Sequence, residues 1–190
     1  MSNAQRALTL GLVLLVGTAS AADPADVSAI EQAESDFVTA NPGSGMAALE
    51  NEILLSQSGI GNYAFAEELG STQSRISIEQ TGGNNAVGAF QANGRNNTAG
   101  ITQSGNDNFV TVTQAGDNNN ADITQLNDAN RLGLNQSGGD NNALISQNGN
   151  SSLILNQSGA QSAVITVEGA TLGVITQSSP SLNMTVTGTP

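Results

Sequence analysis

The chain has 190 residues, sixteen acids against four arginines, a formal net charge of −12, and no cysteine, histidine or tryptophan. Most zinc sites and the common nucleophile–base pairs lack their side chains, no disulfide records the compartment, and nucleic-acid binding lacks the clustered cations that phosphate contact needs. Aromatic residues are only 3% of the total. An ordinary globule with a bulky core is therefore not expected from a chain dominated by Asn, Gln, Gly, Ser and Thr.

The first element is a secretion signal. Arg6 precedes an apolar run from Ala7 to Val16 and the small-residue site Ala19-Ser20-Ala21, so residues 1–21 are expected to be a signal peptide cut after Ala21 or Ala22. The run is too short to span a bilayer comfortably, and the exported chain is expected to be soluble. Once Arg6 is removed, Arg75, Arg95 and Arg131 stand against sixteen acids, a net of −13. That balance disfavours nucleic acid and anionic membranes as partners and helps to keep an aggregation-prone chain in solution.

Residues 22–50 follow as an acidic leader. Seven acids lie between Asp23 and Glu52. Val27, Ile30, Glu34 and Phe37 have roughly helical spacing, but Asn41-Pro42-Gly43 stops any helix. The stretch reads either as a targeting or mobile leader or as a plain disordered tail.

From Asn51 to Gly188 the chain repeats. One slot holds Gln57, Gln80, Gln91, Gln103, Gln114, Gln125, Gln136, Gln147, Gln157 and Gln177. Glu68 and Val167 take the slot where Gln is absent, and Gly188 is its weak last member. Most intervals are eleven residues, a few ten or twelve. Two and four residues before the slot the side chain is apolar or small, as in Val110/Val112, Ala121/Ile123, Leu132/Leu134, Ala143/Ile145 and Leu153/Leu155, with Ile165 and Ile175 in the later units. Six residues before it stand Asn51, Asn62, Asn85, Asn97, Asn108, Asn119, Asn130 and Asn141, giving way to Ser151, Gln161, Thr171 and Leu182 toward the C-terminus.

The unit N-x-φ-x-φ-x-Q alternates with period two, the pattern of a strand with one buried face. The joins, such as "SGND", "AGDN" and "SGGD", are rich in residues that tolerate positive φ and make turns. Changes in interval fall in the turns, so each strand keeps its alternation. Thirteen strands fit between Asn51 and Gly188. Paired face to face, they are expected to form an all-β solenoid with parallel in-register ladders, roughly 30 Å tall at ~4.8 Å per rung. Stacked amides explain the spacing of Asn and Gln: each can donate to one neighbour and accept from the other, so a buried polar group satisfies itself by translation. Inward side chains this small offset poorly the entropy of ordering a rung, so a lone chain is expected to be largely disordered and to fold by templating on an existing end.

The segments "QTGGNNAVGAFQ" (80–91), "QSGNDNFVTVTQ" (103–114), "QAGDNNNADITQ" (114–125) and "QSGGDNNALISQ" (136–147) resemble the curlin repeat of bacterial curli fibres. The resemblance covers about residues 51–188. It implies a secreted subunit that leaves the cell unfolded and polymerises at its surface into amyloid for biofilm matrix and adhesion. Implied partners are further copies of the chain, a sister curlin subunit, and an outer-membrane secretion channel with its accessory factors. The family has a major polymerising subunit and a minor nucleating one. The leader here is acidic rather than glycine-rich and the repeats decay toward the C-terminus, which tilts the reading to the minor role.

Other chemistries find little support in the sequence. Glu67, Glu68 and Asp117 are the carboxylates worth weighing for catalysis, but no pair of carboxylates sits in an apolar pocket pattern, so neither an enzyme nor a small-molecule substrate is expected. The turns superficially resemble calcium-binding β-rolls, yet the period is eleven rather than nine and Asp recurs irregularly. No metal and no cofactor are expected. A solenoid that orders water, as an ice-binding protein does, is the leading non-amyloid alternative, resting on Thr102, Thr111, Thr113, Thr124, Thr166 and Thr176. The outward acids Glu79, Asp107, Asp117, Asp122, Asp128 and Asp140 read as gatekeepers against uncontrolled assembly or simply as solvated surface residues.

Overall fold

The computed structural model describes Gly17–Thr18 and residues 51–188. The expected acidic leader and all of the expected signal peptide but Gly17–Thr18 lie outside the described residues. The described elements are all strands: β1 (Gly17–Thr18), β2 (Glu52–Ile60), β3 (Tyr63–Leu69), β4 (Arg75–Gly83), β5 (Ala86–Ala92), β6 (Thr98–Asn106), β7 (Phe109–Ala115), β8 (Asn120–Leu126), β9 (Arg131–Ser137), β10 (Asn142–Asn148), β11 (Ser151–Ser158), β12 (Ser162–Glu168), β13 (Thr171–Thr176) and β14 (Ser181–Thr187).

Successive strands from β2 onward alternate between two sheets. The even sheet runs β1-β2-β4-β6-β8-β10-β12-β14 and the odd sheet β13-β11-β9-β7-β5-β3. All neighbours pair in parallel and in register, so Gln80 lies beside Gln103 and Gln103 beside Gln125 in one sheet, and Gln91 beside Gln114 in the other. The result is a parallel β-solenoid of about six turns, each made of two strands and two tight corners.

The core lies between the sheets and follows the alternation of the sequence. On the even sheet Ala99, Ala121, Ala143 and Ala163 form one buried column, and Ile78, Ile101, Ile123, Ile145 and Ile165 another. The odd sheet contributes Val110, Val112, Leu132, Leu134, Leu153 and Leu155, all buried. Ile175 only packs against the rim of this core, because β13 has no strand beyond it. The even sheet repeats its Ala and Ile packing over several levels, while the odd columns change from Val110 and Val112 to Leu132 and Leu134 along the stack.

The corners need backbone that ordinary residues avoid. The residue just before each buried asparagine is left-handed: Asn84, Asn96, Asp107, Asn118, Ala129 and Asp140 have φ between 54° and 60°. Asn and Asp reach this region at little cost, whereas the β-carbon of Ala129 strains it by ~1–2 kcal/mol. Gly105, at φ +128°, has a second constraint: a β-carbon there would stand 2.2 Å from the Asn127 carbonyl oxygen of the next rung.

The last strand departs from the sequence expectation. Register pairs Ser162 with Ser181 and Val167 with Val186, so Val186, not Gly188, takes the ladder slot. Pro180, whose carbonyl accepts the Ser162 N–H, stands where an asparagine would, and Leu182 turns inward against the core. The final slot-to-slot interval is thus nine residues rather than eleven. A two-residue shift keeps the parity of the strand, so the inward face stays apolar and nothing in the alternation opposes it.

Candidate functional site: amide ladders and open sheet ends

The ladder glutamines sit at the C-terminal end of each strand, pointing inward beside the apolar columns. Gln80, Gln103, Gln114, Gln125, Gln136 and Gln147 are wholly buried, and Gln57, Gln91, Gln157 and Gln177 nearly so. In the even sheet each Nε2 donates to the Oε1 of the next: Gln57 to Gln80, Gln80 to Gln103 at 2.8 Å, Gln103 to Gln125 at 2.9 Å and Gln125 to Gln147 at 2.7 Å. In the odd sheet Gln91, Gln114, Gln136, Gln157 and Gln177 repeat the arrangement at 2.8–2.9 Å.

The second Nε2 hydrogen of every ladder glutamine but Gln57 has a job that spacing alone does not reveal. It crosses to the first residue of a strand in the opposite sheet: Gln80 to the Tyr63 carbonyl at 3.1 Å, Gln103 to Ala86 at 3.2 Å, Gln114 to Thr98 at 2.9 Å and Gln136 to Asn120 at 2.9 Å. Each amide therefore joins rung to rung and sheet to sheet. No signal in the one-dimensional pattern marks this second role, because it depends on how the two sheets are offset.

The asparagines line the corners. Asn85, Asn97, Asn108, Asn119, Asn130 and Asn141 are buried; Asn62 is half-buried, and Asn51, on the first rung, is exposed. Their columns run opposite to the glutamines, with donors pointing toward the N-terminal end. Asn85 Nδ2 donates to Asn62 Oδ1, Asn108 to Asn85, Asn130 to Asn108 and Asn141 to Asn119, at 2.9–3.1 Å. The same side chains tie down turn carbonyls, as in Asn108 to Asn127 O at 2.8 Å and Asn119 to Gly138 O at 3.0 Å. Ser74 and Ser151 extend the two corner columns: Ser74 Oγ accepts from the Asn97 N–H, and Ser151 Oγ donates to Asn130 Oδ1 at 2.9 Å.

The outward acids are all exposed, and three have corner partners that sequence reasoning missed. Asp117 accepts the Arg95 N–H at 2.9 Å, Asp128 accepts the Asn106 N–H at 2.7 Å, and Asp140 accepts from Asn118 Nδ2 at 3.0 Å. For Asp117 and Asp140 the recurring "GDN" turn was the available clue; Asp128 stands in "NDAN". Among the described residues no group of three His, Cys, Asp or Glu side chains gathers as a cation site. Register places Thr102, Thr124 and Thr166 in one even-sheet column that also holds Ser146, while Thr111, Thr113 and Thr176 lie on the odd sheet. The threonines thus divide between opposite faces and form no two-column array.

The glutamine ladders are interrupted at two places. Val167 and Val186 end the even column with apolar side chains. At the other end, Glu68 heads the odd column, 5% exposed, with both carboxyl oxygens and the facing Gln91 Oε1 unpartnered. Burial pushes its carboxyl up from an ordinary 4.5 to about 7. Among the described residues, β3 and β13 terminate the odd sheet and β14 terminates the even sheet, each with one side unpaired, and β2 carries only the two-residue β1.

Two parallel sheets zipped by columns of buried amides, with open edges at the ends of the stack, define an amide-ladder β-solenoid. The curlin-associated repeat model matches the chain at residues 72–105, 94–126 and 105–133. Residues 72–133 thus carry curlin-associated repeats, and the curlin family is one of structural subunits rather than enzymes. No curated protein and no solved structure matches the chain.

Proposed function

We propose that the chain is a secreted subunit of curli-type amyloid fibres at a bacterial cell surface, serving biofilm matrix and adhesion, and that it assembles by adding rungs to an existing stack. The supporting observation is that the in-register repeat keeps its period-two alternation to its outermost strands, and among the described residues no element covers β3, β13 or β14, whose edge N–H and C=O groups are open to a further strand. The acidic composition of residues 22–50 supports the minor, nucleating role over the major one. A homopolymer, a sister curlin subunit, and an outer-membrane secretion channel with its accessory factors complete the reading as partners. The site residues are the ladder amides and the inward Val, Ile and Leu side chains between them.

Fibre diffraction on material grown from the purified chain tests this. Reflections at ~4.7–4.8 Å along the fibre and ~10 Å across it are expected. Immediate growth that seeds other subunits would mark a nucleator; growth after a lag would mark a major subunit. A chain that stays folded and monomeric would overturn the fibre reading and favour a closed solenoid that binds a surface such as ice.

A further inference from the structure

The first odd rung is left chemically unfinished. Among the described residues, the buried side-chain atoms without a hydrogen-bond partner are both carboxyl oxygens of Glu68, Gln91 Oε1, Ser71 Oγ and Thr72 Oγ1. Glu68 lies on β3, Ser71 and Thr72 stand in the corner that follows, and register sets Gln91 directly beside Glu68. At every later step of this column the residue on the N-terminal side donates an N–H to the glutamine oxygen on its C-terminal side. A carboxylate at the Glu68 step would set acceptor against acceptor. A carboxylic acid has one O–H donor and one carbonyl acceptor, the same polarity as the glutamine amide.

Either a proton or a metal cation could relieve facing acceptors, and the spacing separates the two. Register gives this step the rung spacing of the later ones, where donor and acceptor stand 2.8–2.9 Å apart. An O–H···O bond of about 2.7 Å fits that spacing. A calcium ion would hold each oxygen at about 2.3–2.6 Å and force the pair well beyond it. Glu68 also brings a single carboxylate, and among the described residues no group of three His, Cys, Asp or Glu side chains gathers around it.

The charged groups near β3 face away from Glu68. β5 has no titratable side chain, and neither does the corner from Gly70 to Ser74. Thr72 in that corner bridges to Arg95, whose side chain is exposed. On β3, Glu67 and Tyr63 belong to the outward-pointing alternation. Across the core, β2 brings Glu52 and β4 brings Arg75 and Glu79, all exposed on the outer face, with Arg75 and Glu52 paired to each other at 3.5 Å.

We propose that Glu68 is a neutral carboxylic acid in the folded solenoid, its hydroxyl donating to Gln91 Oε1, and that this proton latches the rung: when it leaves, β3 and the corner Gly70–Ser74 release while the rungs from β5 onward stay closed. β3 pairs with β5 alone, so its release breaks no other strand pair of the odd sheet. Its inward residues, Ala64 and Ala66, are smaller than the inward pairs of β7, β9 and β11, so less apolar contact holds it in place. Burial raises the Glu68 carboxyl from an ordinary 4.5 to about 7 in the closed rung, and release returns it to the ordinary value. The closed rung thus keeps a proton that the released rung loses. Closure is full below 4.5, weakens between 4.5 and about 7, and stays at its weakest above.

The test is hydrogen exchange read by mass spectrometry from pH 5 to 8 on the purified chain in its folded state, soluble or fibrous, for wild type, Glu68→Gln and Glu68→Ala. Reading each chain against Glu68→Gln at the same pH removes the intrinsic pH dependence of exchange. Relative to Glu68→Gln, the wild-type β3 amides are expected to lose protection by on the order of tenfold or more across the range, while those of β9 stay matched. Glu68→Ala should be weakly protected in β3 at every pH. Wild type at pH 6 should also show the infrared carbonyl band of a buried carboxylic acid, missing from Glu68→Gln. A constant ratio of wild type to Glu68→Gln in β3 would overturn the latch. Loss of protection in β9 in step with β3 would overturn its confinement to one rung. Recovery of wild-type β3 at pH 8 on adding calcium chloride would replace the proton with a cation. The readout is internal to one chain, so failure to form fibres would count against the proposed assembly and not against the latch.

Discussion

Removing Gln103 and Gln125 together should cost less than the sum of removing each. Gln103 is wholly buried, accepts from Gln80 at 2.8 Å, donates to Gln125 at 2.9 Å and crosses to Ala86 O at 3.2 Å. Gln103→Ala leaves a Gln80 N–H and the Gln125 oxygen unpaired where water has no access. At about 1–3 kcal/mol per orphaned group, the single change should cost about 3–5 kcal/mol. Gln125→Ala likewise orphans a Gln103 N–H and the Gln147 oxygen. In the double variant the two facing orphans vanish together and only Gln80 and Gln147 are left short, so by the same two-group count the double loss should fall below the sum by about 3–5 kcal/mol. Gln103 paired with Gln114 provides the control: the two sit in different columns and share no hydrogen-bond partner. The assay is the soluble concentration at equilibrium with fibre, where each ~1.4 kcal/mol is a factor of ten. Losses that add to within ~0.5 kcal/mol in both pairs would refute the ladder as an energetic unit.

Gly105→Ala should abolish stacking at that corner, costing more than ~3 kcal/mol because the new β-carbon meets backbone; Gly159→Ala, at φ +72° with nothing within 4 Å, should cost only ~1–2 kcal/mol. Equal losses in the two by the same solubility assay would contradict the corner geometry. Ala129→Asn should lower the equilibrium soluble concentration, a gain of ~1 kcal/mol, because the amide side chain can hydrogen-bond locally and offset the left-handed strain that alanine bears. Asp128→Asn separates two roles for the corner acids. It keeps an acceptor for Asn106 and removes a charge, so a gatekeeper would show faster elongation with fibre stability unchanged to ~0.5 kcal/mol. Unchanged elongation would leave Asp128 as a turn acceptor alone.

Period-two alternation was enough to place the strands and their inward faces, because a one-residue error would have turned Ile123 or Leu134 outward. It could not place β14 to better than two residues. Gly188 and Val186 share the same parity, and only the short Ser178–Pro180 corner separates them. The stacking of Gln on Gln was legible from the spacing. The cross-sheet bond of each Nε2 was not, since Gln80 and Tyr63 are joined by the relative offset of two sheets that no single strand encodes. Glu68 was visible as a substitution in the glutamine slot. That its neighbour Gln91 would be left without a donor followed only from the direction in which the column's hydrogen bonds run.

That direction has a further consequence. Each side-chain amide is a dipole, and a column of them pointing one way would build an electrical moment that grows with every added copy. The glutamine columns point their donors toward the C-terminal end and the asparagine columns toward the N-terminal end. Where a rung carries both, the amide-to-amide links of the two sets run in opposite directions. A long filament built this way would carry far less side-chain polarisation per unit length than its number of aligned amides suggests, and its tips would not become more highly charged as it lengthens.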